Sequence, residues 1–446
     1  MLYLSPLKIQ FAIRSVMTSS SYQEKLAQVP LAKSWAVVVL ISFFFFFEFG
    51  LGNAFNTLTP AILKAYPDLT TVSVSFIASL YFYTNIACLI PAAYILDRFS
   101  PRLAISIALL FCALSIFAMT LTTSVYVMGV SRLLMGMGAS FSLVGCIRIA
   151  TNWFPANRLG FVIGIIIAIG MLGGYAAQAP VGYLLDAFGL EHTLHFISLF
   201  GLVLAALIFI VVRNAPKALT EARTMQTKAL RSESILATLK LVLSKPQNWC
   251  AGIYVGLINI GTWMLGGMWS NEYLMKTHDV SMLEARSITG YIFLGMIFAY
   301  PFWGWLTERM RRRKQPLILG GITSVIIIAI IMFCTVSVAQ LSVLFFLLGF
   351  VTSAQTVAYP FVGETNPMKN NAIATSIVSM SSLLWGGVIA MPLFGVMTTW
   401  FNHSKGLDDM AAPGLNFGMG ILLIGFIISI IFALFIKETY CKRQVD

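Results

Sequence analysis

The chain has 446 residues, 58% of them hydrophobic and only 10% charged, and its mean hydropathy is +0.85. That balance excludes both an ordinary soluble domain and a disordered chain. The net charge of +12 does not point to nucleic acid, because the basic residues fall in short segments between hydrophobic runs, and six scattered cysteines without a C-x-x-C pair argue against a disulfide framework or zinc site.

The N-terminus carries no compact apolar run followed by a cleavage site, so a cleaved signal peptide is not expected, and Met17 opens a plausible polar start. Hydrophobic stretches of helix-spanning length then recur, each able to cross a hydrocarbon core of roughly 30 Å. The spans are placed at 34–58, 72–96, 103–122, 125–148, 159–184, 193–213, 247–271, 287–307, 316–336, 340–362, 371–400 and 415–436. Runs such as ISFFFFFEFGLG are apolar on every face, which suits helices rather than barrel strands. The expected fold is therefore an all-α polytopic membrane protein of twelve transmembrane helices. Its expected parts are an N-terminal segment 1–33, six helices over 34–213, a polar linker 214–246, six helices over 247–437 and a tail 438–446.

With the termini and alternate loops on one side, 24 of the 29 Lys and Arg lie there, which makes both termini cytoplasmic. The four histidines (His192, His195, His278, His403) then fall in outer loops and are read as solvated rather than metal-binding.

The halves repeat. Asp97-Arg98 matches Glu308-Arg309 and Arg102 matches Arg313 at an offset of 211; Pro155 matches Pro367 and Pro180 matches Pro392 at 212. An even number of crossings separates the copies, so the halves run in parallel orientation. Ser100 and Pro101 supply an N-cap and an N1 proline for span 3, so the loop before it turns tightly.

That loop, A-Y-I-L-D-R-F-S-P-R, resembles the signature loop of the major facilitator superfamily, G-x-L-a-D-r-x-G-r-k, with a weaker copy at 304–314. Ala93 and Ser100 stand where the family pattern has glycine. Span 4 carries Arg132 followed by Gly136, Gly138 and Ala139, similar to the family's R-x-x-q-G-x-g-a-a. The resemblance implies a latch between halves at Asp97, Arg98 and Arg102, with Glu308 and Arg309 as the second copy. It also implies a central cavity lined by helices 1, 2, 4, 5, 7, 8, 10 and 11.

An arginine in a membrane helix is costly unless paired or wet. Glu48, the acid deepest in any span, lies about ten residues from the outer end of span 1, roughly 15 Å, at a depth similar to Arg132. The pair reads either as a static tie between helices 1 and 4 or as a site where protonation of Glu48 frees Arg132 for an anionic solute group. Asn53, Asn56, Tyr83, Tyr175, Gln178, Asn259, Trp263, Tyr291, Gln355, Tyr359 and Trp385 are the candidate cavity lining. Each alone also fits an interhelical hydrogen bond.

The expected function is proton-coupled symport of a small polar solute (amino acid, short peptide or organic acid) by alternating access, with no cofactor and no metal. Span 5 has Gly170, Gly173 and Gly174 but its proline is displaced to Pro180, unlike the G-x-x-x-G-P-x-x-G-G of drug exporters in the family. An exporter is the alternative, and a channel or receptor a remote one. No intramembrane nucleophile motif, H-E-x-x-H or Walker A motif occurs, so neither an enzyme nor an ATP-driven pump is expected. The expected partners are solute, protons and lipid, with the protein acting as a monomer in a bacterial inner membrane, although Asn402-His403-Ser404 forms a lone glycosylation sequon.

Overall fold

A computed structural model describes residues 29–66, 69–122, 124–155, 158–216, 235–367 and 370–444, without the side chains of Asp97, residues 235–238, Asn371 and Ala372. Among them there is no strand. Eleven helical stretches are long and apolar enough to cross a membrane. One of these, Leu159–Val211, has 53 residues, which as a straight helix measures ~80 Å. Its two ends nevertheless meet: Trp153, just before it, donates its indole N–H to the carbonyl of Arg213, just after it, at 2.9 Å. The chain therefore reverses at Gly189, whose φ of 75° lies in the left-handed region open to glycine. Twelve crossings result.

The first six are α1 (Leu31–Asn53, continued by Phe55–Ala65), α2 (Thr71–Arg98), α3 (Pro101–Ala118), α4 (Val125–Ala139 and Ser142–Trp153), α5 (Leu159–Ala176, then 179–188) and α6 (190–211). A short helix, Ile235–Leu243, precedes the second half. There follow α7 (Pro246–Ile258, Gly261–Trp269, Ser270–His278), α8 (Met282–Met310), α9 (Lys314–Phe333), α10 (Val338–Thr352, Ser353–Val357, Ala358–Thr365), α11 (Asn371–Leu383, Leu384–Ala390, Met391–Ser404) and α12 (Ala412–Phe435). The ends of the crossings nearest the chain termini are here called proximal, the opposite ends distal. The expected N-terminal segment up to residue 28 and linker residues 217–234 lie outside the described residues.

The repeat recurs in the backbone irregularities. α1 breaks at Ala54, α4 at Ser140 and Phe141, and α5 at Ala177 and Gln178. Some 212 residues further on, α7 widens into a π-turn over Gly261–Trp269, α10 tightens into a 3-10 turn over Ser353–Val357, and α11 widens over Leu384–Ala390. Such turns change the helical hydrogen-bond register inside the bundle.

It also recurs at the proximal face. Asn214, just past α6, accepts the backbone N–H of Arg102 at the start of α3 at 2.8 Å. Glu438, just past α12, accepts those of Arg313 and Lys314 at the start of α9 at 2.7 and 3.0 Å. Burial raises the Glu438 carboxyl, but backbone donors from Arg313, Lys314, Tyr440 and Thr439 outweigh that and hold it below the usual range.

Small residues set the helix spacing. A Cβ at Gly173 of α5 would lie 2.0 Å from the Phe46 carbonyl oxygen of α1, and one at Gly136 of α4 would lie 2.0 Å from the Tyr81 carbonyl oxygen of α2. The space beside Gly136 is filled by α2.

Candidate solute and proton site

Glu48 and Arg132 are both buried, 4% and 1% exposed, in the interior of the first half. The expected direct ion pair is not formed. Glu48 accepts hydrogen bonds from the Tyr81 hydroxyl and from the Ser142 hydroxyl, the latter at 3.0 Å. Arg132 instead donates to the carbonyls of Ala78 at 2.7 Å and Leu51 at 3.3 Å, and its guanidinium lies over the rings of Phe55 and Tyr81 at 4.3 and 4.8 Å. Tyr81 thus stands between acid and base, bonded to one through its hydroxyl and stacked under the other through its ring. The reason is reach: Tyr81, one helix away, brings a donor to the carboxylate, while Arg132 finds carbonyls of α1 and α2 nearer than Glu48.

Asn56 and Gln178, expected in a cavity wall, are brought together in a clasp between the halves at the distal side. Asn56 donates to Gln178 Oε1, the Leu265 carbonyl and Ser270 Oγ at 3.1, 3.2 and 2.8 Å. Asn271 answers by donating its backbone N–H to Asn56 Oδ1 and its side-chain amide to the Asn56 carbonyl, both at 3.2 Å. Gln178 donates to the carbonyls of Asn53 and Gly266 at 3.2 and 3.0 Å. Asn53 itself turns its amide back to Phe49, at 2.8 Å. The Leu265 carbonyl, which also accepts the Ser270 N–H in the widened turn of α7, offers its second lone pair to Asn56. Arg286 of α8, 3% exposed, completes the clasp by donating to Asp186 of α5 at 2.5 Å. Below it, Trp263 packs against Phe49 and Phe82 of the first half at 5.3 and 5.0 Å between ring centres.

A second polar group lies within the C-terminal half. Asn259 of α7 donates to the Ser382 hydroxyl of α11, to which Trp263 donates as well at 3.2 Å. Gln355 of α10 donates to Asn259 Oδ1 at 3.2 Å, and Ser379 of α11 donates to the Tyr359 hydroxyl of α10 at 3.4 Å. Trp385 packs against Gly256 of α7, and Tyr175 of α5 against Gly290 of α8.

Tyr83 and Tyr291 are the exposed candidates: Tyr83 shares an exposed stripe of α2 with Phe76 and Tyr94, and Tyr291 shares one of α8 with Phe298 and Trp305, at helical spacing.

The loop residues divide. Arg98 lies over the Tyr94 ring at 4.0 Å, and Arg102 over Phe209 at 5.0 Å. Asp97 sits in α2, its side chain outside the described residues. Glu308 and Arg309 are exposed, Arg309 over Trp305 at 5.6 Å. The buried partner in the second copy is Arg313, which pairs with Glu364 at 2.6 Å. Glu364 stands 212 residues after Asn152, whose amide bonds the Asn214 carbonyl at 3.0 Å, so related positions brace both halves. The Asn402 sequon is also overturned. Asn402 is buried, donates to the carbonyls of Asp409 and Ala411, and accepts the N–H of Gly414 at 2.9 Å, holding the turn into α12.

Asp186, Arg286, Ser270, Asn271, Ser142, Ser382 and Glu364 were not read from sequence as site residues. The charges among them resemble loop charges, and nothing in the local sequence indicates that residues 100 apart face each other.

Compared with known families, residues 38–281 and 251–444 match the model of the Major Facilitator Superfamily. The chain belongs to that superfamily. It is 24% identical over 274 residues to the agnestins efflux protein AgnL12 of Paecilomyces divaricatus, a match covering 59% of this chain and 60% of that protein. It is 38% identical over 98 residues to the nitrate/nitrite transporter NrtP of Nostoc punctiforme, covering 21% of this chain and 19% of that one. With the probable galactarate/D-glucarate transporter GarP of Escherichia coli K12 it shares 23% identity over 339 residues, 67% of this chain and 74% of GarP. Among solved structures, a bacterial homologue of the human lysosomal transporter Spinster, inward-facing and unoccupied, superposes with a TM-score of 0.71 at 15% identity over 91% of this chain and 97% of that one.

Proposed function

We propose that this transporter couples proton movement at Glu48 to the import of a small solute bearing an anionic group, working by alternating access between its two halves. One observation carries the reading. A carboxylate and a guanidinium are buried in the membrane interior and share one tyrosine, an arrangement too costly to keep for packing alone. Protonation of Glu48 removes the charge that Tyr81 and Ser142 serve, and through the Tyr81 ring it reaches Arg132. The solute class is an amino acid, a short peptide or an organic acid. The names of NrtP and GarP, both carriers of anions, favour the anionic group. The setting is a bacterial inner membrane with the proximal end cytoplasmic and the protein working as a monomer. AgnL12, an efflux protein, supports the second reading of export in the same fold, against which stands the displaced proline of α5.

Purified protein in proteoliposomes tests this. An imposed inward proton gradient is expected to drive saturable uptake of at least one of these acids, and Glu48→Gln is expected to lower gradient-driven uptake at least tenfold. Absence of uptake for every amino acid, peptide and organic acid tried, or full activity in Glu48→Gln, overturns it.

A further inference from the structure

The proximal end of α8 gathers cations that the fold does not use. α8 meets α5 through Gly290 and α10 through Gly295, and it turns Ile292, Met296, Ala299 and Trp303 into the core. Phe298, Phe302 and Trp305 lie on the opposite side, 63%, 38% and 54% exposed, as a stripe turned to the lipid. Phe302 packs against Phe350 of α10 at 5.0 Å between ring centres, and Phe298 lies 6.2 Å from Phe346, so the stripe continues across α10 as one aromatic floor. At its proximal end the guanidinium of Arg309 covers the Trp305 ring at 5.6 Å. Arg311 then closes α8 in the left-handed region, φ 50°, and Arg312 follows. All three arginines are exposed, and among the described residues none of them forms an ion pair. Set against Glu308, they leave the turn with a net charge of +2. The next two cations are held by the protein itself, Arg313 by Glu364 and Lys314 by the Leu434 carbonyl at 2.5 Å. The fold needs neither Arg311 nor Arg312: 211 residues earlier Ser100 and Pro101 occupy those positions, and the chain turns into α3 as it turns into α9.

We propose that the proximal end of α8 binds an anionic phospholipid, with its phosphate between Arg309, Arg311 and Arg312 and an acyl chain along Phe298, Phe302 and Trp305. Charge chooses the headgroup. Guanidinium groups hold phosphate oxygens through paired, charge-assisted hydrogen bonds, whereas a zwitterionic headgroup brings its own cation against three others. Position chooses a lipid over a soluble anion, because the aromatic floor starts at the arginines and runs toward the middle of the membrane, the path of a chain below its headgroup. A general excess of positive charge on this side of the membrane needs no aromatic register. Here Phe298, Trp305 and Arg309 share one helical face at intervals of seven and four residues. The lipid is a bound component of the fold and not the transported solute.

Tryptophan quenching in vesicles tests it. The full chain is reconstituted in phosphatidylcholine vesicles that contain a minor fraction of phosphatidylglycerol, and bromine is carried by the chains of that phosphatidylglycerol or of an equal amount of phosphatidylcholine. The Trp305 signal is the difference between the unaltered chain and Trp305→Phe. Brominated phosphatidylglycerol is expected to quench it at least twofold more than brominated phosphatidylcholine. That excess is expected to vanish in the triple variant Arg309→Gln, Arg311→Gln, Arg312→Gln, and to persist in Lys33→Gln, which removes an exposed cation at the proximal end of α1. The double variant Arg311→Gln, Arg312→Gln keeps the Arg309–Trp305 contact, is expected to lower the excess by at least half, and keeps the test open if the triple variant fails to reconstitute. Equal quenching by both lipids, an excess that survives the arginine substitutions, or the same loss in Lys33→Gln overturns the site. Loss of the excess in millimolar inorganic phosphate at constant ionic strength shows a free-anion site instead and overturns the lipid.

Discussion

Arg132 illustrates how much one residue settles. Its two amino groups reach carbonyls on two different helices while its plane lies over two rings, a geometry that needs a flat, multidentate cation. Arg132→Lys keeps the charge but supplies one compact ammonium group, which cannot serve both carbonyls and both rings. Gradient-driven uptake by Arg132→Lys is expected to fall at least tenfold, with a lower melting temperature; wild-type uptake in that variant would show that charge alone suffices. Glu48 and Arg132 were legible as special because ionisable groups stand out in an apolar run. Tyr81, their mediator, was not, since a tyrosine two residues from the exposed Tyr83 looks the same in sequence. Only the helical phase, 200° apart for positions two residues apart, buries one and leaves the other exposed.

At the scale of elements, glycines fix how closely the helices approach. Gly136 admits the Tyr81 carbonyl, so α2 and α4 touch along their backbones and hold Arg132 over Tyr81. Gly136→Ala inserts a methyl group where no space exists and is expected to cost about 1–3 kcal/mol, read as a clear drop in the melting temperature of purified protein. Gly160→Ala at the start of α5, where nothing lies within 4 Å, is expected to leave it unchanged. Equal effects at both positions would refute the packing argument. The span boundaries were largely readable from hydropathy, and the 212-residue repeat correctly placed related helices. The breaks in α1, α4 and α5 and their counterparts were not readable, because a π-turn and an α-turn share the same composition. Those breaks lie where Asn56 and Gln178 bind backbone carbonyls of α1 and α7.

For the whole molecule, the clasp at the distal side holds the halves together around Asn56, Gln178 and Asn271, with the Arg286–Asp186 pair beside it. Asp186 is mostly exposed while Arg286 is buried, so loss of Asp186 strands a buried charge. Asp186→Asn is expected to loosen the distal contact. With a cysteine at Ser270 in a Cys334→Ser background, labelling by a membrane-impermeant maleimide is expected to be at least threefold faster in Asp186→Asn; an unchanged rate would show that the ion pair does not hold the halves.

The sequence by itself determined the solvent of this protein, the number of its crossings, their pairing into two related halves, and the presence of an acid and a base that lipid alone does not tolerate. These follow from composition and period, which survive without knowledge of any contact. The tertiary structure alone decided that the acid and base do not touch, that two amides thought to line a cavity tie the halves together, and that Arg286 is buried against Asp186 in the clasp rather than a solvated loop charge. Each of those depends on the rotation of one helix against another, set by glycine contacts and backbone breaks between residues far apart in the chain.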